Sequence, residues 1–123
     1  MKVLVDTSVW IRFLSNRSPF GAGLTTLLDH DDVVGHEFVS GELLIGDKGG
    51  RKQLLASYAL MDQAPTVPHT EVVAFVRYRR LHGRGIGWVD VQLLASAIVA
   101  GVRLWTADPA LAAAARELDI SYD

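Results

Sequence analysis

Lys2-Val3-Leu4-Val5-Asp6-Thr7-Ser8-Val9-Trp10 decides how the rest of the chain is read. Lys2 to Val5 is rich in Val and Leu and reads as a short strand. Asp6-Thr7-Ser8 are side chains that cap helices, and Val9, Trp10, Phe13 and Leu14 then recur at helical spacing. A strand that runs straight into a helix is the opening unit of an α/β domain. The far end repeats it: Val102 to Trp105 reads as a strand, and Thr106-Ala107-Asp108-Pro109 leads into an alanine-rich helix.

Between these ends the pattern continues. Asn16 to Gly23, with Pro19 and glycines, reads as a loop, and Leu24, Leu27 and Leu28 mark a helix that Asp29-His30-Asp31-Asp32 ends. Val33-Val34 is a candidate strand. His36 to Gly46, Arg51 to Gln63 and Thr70 to His82 read as helices, with a turn at Asp47 to Gly50 and extended chain at Pro65 to Pro68. Gly83 to Gly87 breaks the pattern. Trp88 to Ala100 is then a strongly periodic helix, with Gly101 at its C-cap position. Short strands alternating with helices predict one α/β domain over residues 1–123, a three-layer sandwich with a short, mostly parallel central sheet.

Composition narrows the function. The chain has 123 residues, a hydrophobic fraction of 50% and no cysteine. This is a globular composition that can bury a core without disulfides, and it excludes thiolate zinc sites and cysteine nucleophiles. It fits a cytoplasmic location. No apolar run approaches the roughly 20 residues of a membrane span. Asn16-Arg17-Ser18 matches a glycosylation triplet by chance. The net charge of -2 is unlike that of a typical nucleic-acid binder, although a carboxylate site lowers it by itself.

Asp6, Glu42, Asp90 and Asp108 stand out. Asp6 and Asp108 follow strands, where ligands of parallel sheets gather. Both also suit helix N-caps, Asp108 with Pro109 behind it especially. Asp90 opens a helix, where an acid favours the dipole, yet it shares a partly apolar face with Leu94 and Ala97. Glu42 is mid-helix between Phe38 and Ile45 on one face, where no cap is needed and a buried carboxylate needs a partner. If these acids converge, their repulsion calls for a cation. An all-oxygen set suits Mg²⁺, with Mn²⁺ as substitute. Thr7, Ser8 and Thr106 adjoin the acids and could orient them, or could simply cap.

These stretches resemble PIN-domain nucleases, and among them VapC-type toxins of toxin–antitoxin pairs. The likeness rests on Val3 to Trp10, on Ser40-Gly41-Glu42-Leu43 with Gly46, on Trp88-Val89-Asp90 with Leu93 to Ala97, and on Leu104 to Asp108, in the family's order. It implies a short parallel sheet between helices and metal-dependent RNA cleavage. It implies an acidic quartet at Asp6, Glu42, Asp90 and Asp108, the last position being the variable one. It also implies an RNA substrate, a cognate antitoxin that holds the enzyme inactive, and a homodimer.

Further features are weighed beside it. Arg77, Arg79, Arg80 and Arg84, with Tyr78 and His82 interleaved, are either a solvated helix face or an RNA-tracking surface. His36, His69 and His82 lack partners at motif spacing and read as loop or surface residues. Trp10, Phe13, Phe20 and Tyr58 belong to the core or to a groove for an antitoxin helix. A haloacid-dehalogenase-like phosphotransferase would need an acid where Ser8 stands, and a receiver domain would need acids before Asp6. The remaining alternative is a catalytically silent RNA- or protein-binding module of the same fold.

Overall fold

The computed structural model describes residues 1–16 and 20–122, so Arg17, Ser18 and Pro19, which include two residues of the triplet and make up three of the eight in the expected loop, lie outside the described residues. In chain order the elements are β1 (Val3–Val5), α1 (Thr7–Leu14), α2 (Phe20–Asp29), β2 (Val33–Val34), α3 (Glu37–Ile45), α4 (Lys52–Ala59), α5 (His69–Arg79), α6 (Trp88–Ala100), β3 (Arg103–Trp105) and α7 (Pro109–Glu117).

The sheet has the order β2-β1-β3 and is parallel throughout, with Leu4 opposite Val34 on one side and Leu104 on the other. The chain steps from β1 to β2 in one direction and from β2 past β1 to β3 in the other. The first crossover runs through α1 and α2 and the second through α3 to α6, and helices of such crossovers pack on the faces of the sheet. Val3, Leu4 and Val5 are accordingly fully buried, as a central parallel strand covered on both faces must be. The expected sandwich is the observed one.

Local differences have identifiable causes. The helix expected from Leu24 begins at Phe20, so Gly21 and Gly23 lie inside it rather than in a loop. A Cβ on Gly23 would stand 2.9 Å from the Trp105 ring, so glycine lets α2 lie close to that side chain at a cost in helix propensity. The helix expected over Arg51 to Gln63 stops at Ala59. Gln63 instead bridges Gly35 in parallel, with Gly35 N–H donating to Asp62 O at 2.7 Å. Pro65 to Pro68, expected as extended chain, follows this bridge without helix or strand of its own. α5 ends before His82 because Arg80 turns left-handed (φ 54°) and Leu81 N–H closes on Val76 O at 3.0 Å. That closure buries Leu81 as the apolar partner of a Schellman end.

Trp10 and Tyr58 are fully buried and meet edge to face at 5.6 Å. Phe13 and Phe20 pack partly buried against the same core. Core packing therefore accounts for all four aromatics, and the groove once open to them is not theirs. Among the described residues no helix is long and apolar enough to cross a membrane.

Candidate active site

The acids collect where the strands end. Asp6 follows β1, and its N–H still donates to Trp105 O of β3 at 2.9 Å. Its extended backbone (ψ 153°) starts α1, but its side chain makes no capping bond. The carboxylate turns instead toward two hydroxyls: Oδ2 accepts from Ser8 Oγ at 2.6 Å and from Thr106 Oγ1 at 2.8 Å. Asp6 is 6% exposed. The capping alternative therefore fails for Asp6, and its Oδ1 has no donor among the described residues.

The two hydroxyls are themselves held. Ser8 Oγ accepts from Ala107 N–H at 3.0 Å, and Thr106 Oγ1 accepts from Asp108 N–H at 3.0 Å. They lie 3.2 Å apart. The loop after β3 is thus clasped onto the start of α1, which fixes the Asp6 carboxylate from both strands.

Asp108 is the N-cap of α7: its Oδ2 accepts from Leu111 N–H at 2.9 Å, with Pro109 in the first turn. The cap is real, and one carboxylate oxygen remains for other use. Asp90 also has local work, since its Oδ2 accepts from Gly87 N–H at 2.8 Å across the first turn of α6.

Glu42 departs from expectation. It lies exposed on α3, and Ile45 on the same face is 88% exposed. That face looks outward because Val39 and Leu43 take the core side. The inference from burial was wrong, but the residue still reaches the site: Glu42 Oε1 accepts from Thr7 Oγ1 at 2.6 Å. Phe38, Gly41, Ile45 and Val89 form a shallow apolar groove beside it.

Asp90 reports the convergence. Burial pushes its carboxyl above the usual range, the charges of Asp6, Asp108 and Glu42 push it further, and the Gly87 N–H opposes them. Among the described residues, every charged group that moves Asp90 is an acid. None of the four acids takes part in an ion pair among the described residues, where cations meet Asp32, Asp62, Glu117 and Asp119 instead. Yet no three acids or histidines there stand close enough to hold one ion together. The donors are all hard oxygens, which suit Mg²⁺ or Mn²⁺. Mg²⁺ commonly takes only one or two carboxylates and keeps its water, so this spacing fits a hydrated ion and not a closed cage.

Arg77 and Arg79 of the arginine run line different grooves. Arg77 shares a groove with Val73, Val76, His82 and Trp88. Arg79 lies against Ala97, Ile98 and Arg103 at the opposite end of α6, with Tyr78 under its guanidinium. Arg80 is the left-handed C-cap of α5, and Arg84 pairs with Glu117 at 2.5 Å.

His36 was misread as a surface residue. It is fully buried and caps α3, its Nδ1 accepting from Phe38 N–H at 2.9 Å. The network then places the proton on Nε2, which donates to Ser96 Oγ at 2.9 Å. Ser96 passes on to Gln92, and Gln92 clamps both backbone groups of Val67. This chain ties α3, which carries Glu42, to α6, which carries Asp90. Burial lowers the His36 proton affinity, against a smaller opposing pull from Glu37. A Val-Gly-His entry to a helix gives no spacing signal, although imidazole can serve as a cap acceptor.

A short parallel sheet with acids clustered beyond its strand ends defines a class, and comparison with known proteins names it. The PIN domain family matches residues 3–117, and the chain belongs to that family, among its VapC-type members. It is 44% identical over 120 residues to Ribonuclease VapC32 of Mycobacterium tuberculosis, in strains CDC 1551 / Oshkosh and ATCC 25618 / H37Rv, covering 97% of this chain and 94% of the relative. The crystal structure of PAE2754 from Pyrobaculum aerophilum shares the fold, with TM-score 0.60 and 17% identity over 92% of this chain and 84% of that one.

Proposed function

We propose that this protein is a Mg²⁺-dependent endoribonuclease, the toxin of a toxin–antitoxin pair, and that Mn²⁺ can substitute. The observation that carries the reading is the unmatched charge: Asp90, raised first by burial, also feels three acids, and among the described residues no ion pair neutralises any of the four. The name of the VapC32 relative, a ribonuclease, supports RNA as substrate. The apolar groove beside Glu42 would seat a cognate antitoxin, and a homodimer is part of the same reading.

Asp6 and Asp90 would hold the cation, and the oxygen that the Asp108 cap leaves free would meet it through water or serve a second metal position. When bound, the cation supplies Lewis-acid charge that favours hydroxide at neutral pH and offsets negative charge on the phosphate. Thr106 and Ser8 keep the Asp6 carboxylate from turning away. Thr7 fixes one oxygen of Glu42, which leaves the other to accept the proton of the attacking water. Hydrolysis joins that water's oxygen to phosphorus and releases a sugar hydroxyl, which takes up a proton.

One observation favours the silent binding module: Asp90 and Asp108 both serve their own helices, and no trio closes on one ion. Incubation with mixed RNA in Mg²⁺, then in EDTA, separates the readings. Cleavage that EDTA stops and that Asp6→Asn lacks supports the nuclease. RNA binding without cleavage supports the module.

A further inference from the structure

Arg12 lies on α1 one turn beyond Ser8. Its Nη1 donates to Ser8 O at 3.1 Å, and its guanidinium sits over the Phe20 ring at 5.6 Å from the centroid. Phe20 is stacked on Trp105 at 5.9 Å. Trp105 ends β3, and its carbonyl receives the Asp6 N–H. Arg12 is thus fixed by a carbonyl and by a ring at the edge of the sheet where the acids collect.

No carboxylate pairs with it among the described residues, whereas Arg84 and Arg103 each have one. It is half-buried, and one donor of its fork is spent on a carbonyl. Its bond to the Ser8 carbonyl sets it beside the residue that holds the Asp6 carboxylate, and it makes no ion pair with any of the four acids among the described residues. A held guanidinium loses little freedom on binding, and its fork matches phosphate oxygens.

We propose that Arg12, backed by Phe20 and the Ser8 carbonyl, binds a backbone phosphate of the RNA at the rim of the acid cluster. This rests on the ribonuclease reading and moves the substrate path from the α5 arginines to the α1–α2 side. Phosphate contact at this point would anchor the strand beside Asp6 without adding charge to the pocket that the cation must fill.

The test measures RNA affinity against salt in Mg²⁺, on an Asp6→Asn background that does not cut. Arg12→Gln is expected to weaken binding about tenfold and to flatten the slope of log affinity against log salt by about 0.7 to 1. Arg12→Lys should restore the slope and part of the affinity. Phe20→Leu should lose part of the affinity with the slope intact, and Arg103→Gln should match the background. A folded Arg12→Gln protein with unchanged affinity and slope, in an enzyme whose wild type cleaves RNA, overturns the proposal alone. A wild type that neither binds nor cleaves RNA overturns the ribonuclease reading and this one with it.

Discussion

Where the strands begin, the Met1 ammonium faces Asp32 at 3.9 Å, Lys2 faces Asp62 at 4.0 Å and Arg103 faces Asp119 at 3.8 Å. Where they end, Asp6, Glu42, Asp90 and Asp108 gather with hydroxyls and backbone N–H groups, and none of them is in an ion pair among the described residues. The first arrangement is loose and exposed, and such pairs contribute at most about 1 kcal/mol each. The second raises the energy of the folded state, because ionised Asp90 is disfavoured there. Matched charge at one end and unmatched charge at the other is the reason the proposed function is assigned to the strand ends.

The largest expected effect comes from the unmatched end. Asp6→Asn keeps the shape and the Thr106 contact but removes the charge, and should lower kcat for RNA cleavage by about a thousandfold. Its far-UV spectrum should stay that of the wild type. Thr106→Ala comes next. It frees one oxygen of Asp6 and loosens the clasp on Asp108 N–H, so a loss of about 10- to 100-fold in kcat is expected, read in the same cleavage assay.

Both effects concern residues the sequence exposed to view, for reasons that differ from residue to residue. Asp6 and Asp108 were legible because a Val-Leu run followed by an acid is a local pattern that a parallel sheet repeats. Trp88–Ala100 was legible because its apolar positions and its terminal Gly101 agree. Glu42 was found by a mistaken argument: periodicity says which residues share a face but not whether that face turns inward. Gly23 hid the start of α2, since its role is set by a ring 82 positions away in sequence. His36 was lost for the same reason, because Ser96 and Tyr58 supply its surroundings. The arginine run reads as one helical face only if α5 extends through His82, and Arg80 ends that helix.

Smaller effects sharpen the contrast. His36→Ala leaves Phe38 N–H and Ser96 Oγ short of a partner, which should cost about 1 to 3 kcal/mol by urea unfolding. The imidazole is held neutral in the fold, so below its ordinary value of 6.5 the unfolded chain binds the extra proton and stability falls as pH drops. His36→Asn, which can still cap α3, should flatten that acid limb. Arg103→Gln, at the matched end, should shift stability by less than about 1 kcal/mol and leave cleavage untouched.

In the proposed function the acids feel one another and await a cation. A carbon-13 titration of the Asp90 carboxyl in metal-free protein reads it directly. The midpoint should lie above the ordinary 3.8 in wild type, fall part of the way back in Asp6→Asn, and fall in wild type when Mg²⁺ is added. A midpoint at 3.8 that neither the substitution nor Mg²⁺ moves would contradict the account.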